Sequence, residues 1–184
     1  MSLRSDHFVP IGLWVLLSLG CTPGPRADLA STGAEPLAMD GLPMLCTLVS
    51  VVDGDTLSLT CNGDPTRVRL HCIDAPEMGQ GAWGRASRDH LAAAIPRTLV
   101  VVPVPTEWGF RDRFGRIVGE VLVPDKTRRN LGLAQVAAGQ AVVYPKYCRE
   151  ERYFWVEAVA RGAGSGVWRE AGRHQTPWRW RHRG

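Results

Sequence analysis

Residues 46–61 read CTLVSVVDGDTLSLTC. Asp-Gly between apolar runs is a hairpin signal, because a tight turn favours a glycine with positive φ. The stretch commits the chain to two antiparallel strands turning at Gly54, and so to a β-rich core that can bury them. Cys46 and Cys61 stand nearly symmetrically about Gly54, which sets them opposite each other and predicts a Cys46–Cys61 disulfide. One carboxylate is enough for the turn, yet Asp53 and Asp55 are both present and repel. Either the turn is solvated or a positive group sits beside it.

The remaining elements follow by period. The strands are expected at 45–53, 55–61, 67–73, 98–105 and 117–123. In RVRLHCI, Arg67, Arg69 and His71 share one face, and Val68, Leu70 and Cys72 share the core face. Helices are expected at 84–95, packing through Ala86, Leu91 and Ile95, and at 130–139, stopped by Gly139. A third is expected at 149–163, with Phe154, Val156, Ala158 and Val159 as its apolar positions. Five strands with a helix after the third suit an α+β fold, a five-stranded OB-type Greek-key β-barrel with three helices.

The ends divide differently. FVPIGLWVLLSLG (8–20) is uncharged and too short to span a bilayer, and it matches the apolar core of an export signal. Residues 1–21 are therefore expected to be an export signal ending at Cys21, a lipidation candidate. Residues 22–43, rich in Pro, Gly, Ala and Ser, are expected to be a flexible tether. The protein would be a membrane-anchored lipoprotein, or else secreted or periplasmic with Cys21 unmodified. The folded domain is expected at 44–169 and a basic Arg/Trp tail at 170–184. Outside the cytosol an even cysteine count suggests disulfides. With Cys46 and Cys61 paired, elimination leaves Cys72–Cys148; four buried free thiols are the alternative.

The net charge of +4 is concentrated at one end: residues 169–184 hold five Arg against Glu170. The domain is otherwise near neutral, so binding to nucleic acid would need a local site. Three groups of polar residues supply candidates: Asp53 with Asp55; Arg69 with Asp74 and Glu77 in VRLHCIDAPE; and Arg116 after DRFG. Carboxylates without His or Cys suit a hard cation with oxygen ligands. Two Arg beside them suit a phosphodiester, and a spare carboxylate could activate water, which together read as hydrolytic phosphoryl transfer. Each residue also has a plain structural role. Asp53 and Asp55 could form the turn, Arg69 could pair with Asp74, Glu77 could start a helix, and Arg116 could be solvated. For Arg69 and Asp74 to serve one site, the third strand must bulge or end near Ile73.

VVDGDT, VRLHCIDAPE and DRFGR, in this order and at these distances, resemble the staphylococcal nuclease family. The resemblance covers about residues 45–168, including RNLGLAQVAAGQAVVY and the segment from Glu157 to Trp168. It implies an OB barrel with three helices and Ca²⁺-dependent hydrolysis of DNA and RNA, leaving 3′-phosphate ends. Asp55 and Asp74 would bind Ca²⁺ directly, aided by the backbone carbonyl of Ala75, and Asp53 would support the ion through water. Glu77 would be the general base, and Arg69 and Arg116 would clamp the scissile phosphate. Arg113, Phe114, Tyr144 and Tyr147 are substrate-binding candidates; Phe114 stands where the family often has Tyr.

A non-catalytic OB-fold module binding nucleic acid or another anionic polymer is the competing reading. A monomer is expected, with DNA and RNA as substrates and membrane contact only through Cys21. The tail is expected to be disordered. Its alternation of Trp178 and Trp180 with Arg179 and Arg181 would also suit single-stranded nucleic acid or anionic lipid.

Overall fold

The hairpin at Gly54 forms, in the register that the cysteines demand. A computed structural model of the chain describes residues 41–182. Strand β1 (Met44–Val51) pairs antiparallel with β2 (Thr56–Cys61), and Cys46 lies opposite Cys61. The two are disulfide-bonded, with 4.3 Å between their Cα atoms. Gly54, however, does not adopt a positive φ. Glycine is required there by crowding: a Cβ would lie 1.8 Å from Ser87 Oγ and 2.7 Å from the Ala75 Cβ. The turn closes through Thr56 O, which accepts from the Val52 N–H at 3.0 Å.

Strands β3 (Asp64–Leu70), β5 (Thr98–Pro103) and β6 (Ile117–Leu122) complete a closed barrel in the order β1-β2-β3-β6-β5. The β3–β6 pair is parallel and the other pairings are antiparallel. Period-two alternation drives the same face of each strand inward. Leu57, Leu59, Val68, Leu70, Leu99, Val101, Ile117 and Val121 fill the interior. Burying each stabilises the fold by about 1.5–3 kcal/mol relative to exposure.

Among the described residues, four α-helices accompany the barrel: α1 (Ala82–Ala94), α2 (Leu131–Ala137), α3 (Glu151–Gly162) and α4 (Pro177–Arg181). The first three correspond to the expected helices, but two present different faces. Helix α1 buries Gly84, Ser87 and Leu91 and leaves Ala86 exposed. Helix α3 packs through Tyr153, Val156 and Ala160, so Phe154, Ala158 and Val159 face solvent. The helical period decides this, because the buried Tyr153 fixes the phase and one turn on is Val156.

The tail differs from the expectation of a disordered end. A 3₁₀ turn at Arg173–Gln175 leads into α4. His174 and Pro177 are buried, which gives the segment apolar and aromatic anchors that its Arg content obscures. The export signal, Cys21 and all but the last three residues of the expected tether lie outside the described residues. Among those residues, no helix is long and apolar enough to cross a membrane.

Candidate active site

The third strand stops at Leu70. Cys72 adopts a left-handed φ of 68°, and the chain restarts as a two-residue strand β4 (Ile73–Asp74), paired with β7 (Val142–Val143). A continuous strand would turn Arg69 and Asp74 to opposite faces. The break turns them to the same one, meeting the condition set by the sequence. Pro76 biases the preceding Ala75 away from helical geometry. Cys72 is bonded to Cys148, with Cα atoms 4.5 Å apart, so the irregular backbone is tied to the segment before α3.

Arg69 lies between the two aspartates. It donates to Asp55 Oδ1, and its Nη2 donates to Asp74 Oδ1 at 2.6 Å and to the Ile73 carbonyl at 3.1 Å. Asp55 is held from its other sides by the Ala75 N–H at 2.8 Å and the Thr56 hydroxyl at 3.0 Å. Asp53 stands behind it, accepting the Asp55 N–H at 3.0 Å. Gln135, on α2, donates to the Gly54 carbonyl at 2.8 Å and to the Ser87 carbonyl at 3.1 Å. That buried amide locks the acidic turn against α1.

Three aspartates, Asp53, Asp55 and Asp74, crowd around Arg69. Burial, reinforced by the Asp55 charge, pushes the Asp53 carboxyl up to about 7. Burial also raises Asp74 to about 6, against the pull of Arg69. For Arg69, burial works against the charged form, but Asp55 and Asp74 outweigh it and hold the guanidinium protonated.

A cleft of about 990 Å³ opens over these groups, lined also by Glu77, Arg113, Phe114, Arg116, Tyr144 and Tyr147. Glu77 precedes a 3₁₀ turn (Met78–Gln80), its N–H satisfied by the Gln80 side chain at 2.8 Å. Arg116 is held by Asp112, whose Oδ2 accepts from Nε at 2.8 Å and Nη2 at 2.6 Å. Its Nη1 donates to the Thr56 hydroxyl at 3.3 Å. Phe114 is exposed, with the Arg113 guanidinium 4.7 Å from its ring centre. Tyr144 lies edge-on to Tyr147 and stacks on Trp178, its ring centre 5.2 Å from the indole. Asp53, Asp55, Arg69, Ala75, Glu77, Arg113, Phe114, Arg116, Tyr144 and Tyr147 thus line one cleft, and the buried Asp74 joins it through Arg69.

Two participants escaped the sequence reading. Asp112 orients Arg116; its position in RDRFGR was the available signal. Arg181 reaches in from α4, its Nη2 3.0 Å from both Asp74 oxygens, and it also pairs with Glu77. Nothing in a basic tail distant in sequence marks that contact. A buried histidine and a disulfide-bonded cysteine, His71 and Cys72, lie near Glu150, but Cys72 has no free thiolate to offer a metal.

The donor types around Asp53, Asp55 and Asp74 suit a hard divalent cation: carboxylate oxygens close together, with no soft ligand among them. Chemically, such a cleft can hold a phosphodiester between two guanidinium groups and a carboxylate able to take a proton.

Comparison with known proteins agrees. Residues 67–170 match the family model of staphylococcal nuclease homologues. An Escherichia coli protein described as an uncharacterized endonuclease is 36% identical over 146 residues, 77% of this chain and 90% of its own length. A Shigella flexneri protein named micrococcal nuclease is 35% identical over 142 residues, 73% of this chain and 78% of its own.

Proposed function

We propose a mechanism from a fixed premise: the chain belongs to the staphylococcal nuclease family and is a nuclease hydrolase acting on nucleic acid. On this reading it hydrolyses phosphodiester bonds of DNA and RNA with little sequence preference, depends on Ca²⁺, and leaves 3′-phosphate ends.

Asp55, Asp74 and the Ala75 carbonyl would hold the cation, with Asp53 in support, and a bound Ca²⁺ would supply positive charge next to the scissile phosphate. Glu77 accepts a proton from the attacking water. Arg69 and Arg116 donate to the phosphate oxygens and stabilise the charge that builds in the transition state. Asp112 keeps the Arg116 fork aimed at the cleft. Arg113 and Phe114 on one rim, and Tyr144 and Tyr147 on the other, contact the nucleotide. Little in this set reads base edges, which is the physical basis for sequence tolerance. Every group comes from one chain, so a monomer suffices.

The observation that supports this most is the buried Asp55–Arg69–Asp74 cluster in a cleft shared with Glu77 and Arg116. The test is incubation of purified protein with plasmid DNA and with RNA, in Ca²⁺ or in chelator, followed by typing of the ends. Cleavage only with Ca²⁺, yielding 3′-phosphates, is expected. Equal cleavage in chelator overturns the cation assignment, and binding without turnover overturns the enzyme reading.

The two disulfides fit an oxidising compartment. Export by the N-terminal segment, with Cys21 as a lipid anchor, would place the nuclease at a membrane surface.

A further inference from the structure

We propose that residues 173–182 form a strap that holds the cation site shut, with Arg181 and a divalent cation competing for the same carboxylates. The proposal rests on the reading of Asp55 and Asp74 as cation ligands.

One end of the strap is fixed. The buried His174 ring stacks on Trp83 with centres 4.1 Å apart and planes 14° apart. His174 Nε2 lies 3.0 Å from the Val167 carbonyl and 3.1 Å from the Glu170 carbonyl, so it carries the proton and donates. Gln175 donates to the same two carbonyls at 2.9 and 3.1 Å.

The other end lies across the cleft. Trp178 stacks on Tyr144 with planes 10° apart, covering the face on which a nucleobase would stack. Trp180 packs so closely on the turn after Glu77 that a Cβ on Gly79 would sit 2.6 Å from its ring. Arg181 then engages both oxygens of Asp74 and one of Glu77. With Arg69 also on Asp74 Oδ1, no oxygen of that carboxylate is left without a donor. A cation bound to Asp74 would meet a guanidinium at the same oxygens, and like charges at that distance repel strongly. Arg181 also occupies one of the two carboxylate oxygens of Glu77.

The closed end is built to release. Arg181 keeps 32% of its side chain exposed, and α4 is five residues long. The Arg181–Glu77 pair is about one-third exposed on both sides and contributes little net stability, while at the buried Asp74 a divalent cation would replace the charge that Arg181 now supplies. The fixed His174 end would keep the released segment beside the cleft.

Calorimetric Ca²⁺ titration of the full chain without nucleic acid tests this, using the wild type, Arg181→Gln and Trp178→Ala. Apparent Ca²⁺ affinity should tighten roughly tenfold in Arg181→Gln, because a closed strap reduces the competent fraction. Trp178→Ala should tighten it by a smaller factor, although it changes no charge. Hydrogen exchange of the wild type needs no variant: amides of residues 178–182 should exchange faster with Ca²⁺ than in chelator. Equal affinity in the wild type and Trp178→Ala, with unchanged exchange, overturns the strap and leaves only a field effect of Arg181. Absence of Ca²⁺ binding in all three overturns the cation reading and the strap with it.

Discussion

Arg69 owes its reach to a strand that stops short. With Cys72 in a left-handed conformation, Asp74 comes round to the same guanidinium that holds Asp55. Glu77 follows three residues on, at a turn rather than in a helix, and faces the cleft. If it takes the proton of the attacking water, Glu77→Gln should lower kcat about 10²–10⁴-fold. The Kd for DNA in Ca²⁺ should stay within about threefold of wild type, since the change keeps the shape of a group that acts in the transition state. Single-turnover cleavage and fluorescence anisotropy separate the two. Asp53 and Asp74 carry a second expectation. Their carboxyls are raised in the folded state, to about 7 and about 6, so the folded protein without cation binds more protons than the unfolded chain across that range. The stability that these two carboxyls contribute is therefore fully present below the ordinary carboxylate range and is lost as pH rises toward about 7. Thermal melts in chelator should show Tm falling over that window, and Asp53→Asn should flatten its upper part.

At the scale of elements, the site depends on a clamp between the acidic turn, α1 and α2. Ser87 and Gln135 close on Gly54 from two helices, and there is no space for a side chain between them. Gly54→Ala should destabilise by about 1–3 kcal/mol, the usual cost of forcing an extra carbon into a packed interior. It should also weaken Ca²⁺ binding, because Asp53 and Asp55 flank the displaced residue. Ser87→Gly in the same chain removes the atoms nearest the new methyl group. A double-mutant cycle by urea denaturation should then recover part of the loss, as coupled neighbours do.

For the molecule as a whole, two covalent ties of different span hold the domain. Cys46–Cys61 closes a short hairpin, with a sequence separation of 15, and Cys72–Cys148 spans 76. By the chain-entropy argument their removal should cost about 3 and about 4–5 kcal/mol. The paired Ser variants differ further in function. Loss of Cys72–Cys148 frees the backbone that turns Asp74 inward and should depress cleavage beyond what residual folding explains. Loss of Cys46–Cys61 should leave the rate of the folded fraction near wild type. At the N-terminus, Cys21 is a testable anchor. Metabolic labelling with a fatty-acid analogue should mark the wild type expressed in a bacterial host and not Cys21→Ser, and an unlabelled wild type would rule out the anchor.

The sequence by itself determined five barrel strands, with ends that shift by up to three residues, together with the hairpin register and the Cys46–Cys61 pair; Cys72–Cys148 followed only by elimination, and Asp112 and Arg181 of the cleft lining were not found. It could do so because period-two burial, turn chemistry and cysteine symmetry are local and survive without tertiary context. Local signals did not carry the faces of α1 and α3, since Ala and aromatic positions around a helix are ambiguous until a neighbour such as Tyr153 fixes the phase. The role of Gly54 was also misread: a close approach by Ser87, far along the chain, demands the glycine, while its φ is ordinary. The tail shows the limit most clearly. Arg181 meets Asp74 across more than a hundred residues, and only the folded chain, by stacking His174 on Trp83 and Trp178 on Tyr144, brings that charge to the site. Long-range ion pairs have no sequence period, so their partners are decided by tertiary packing.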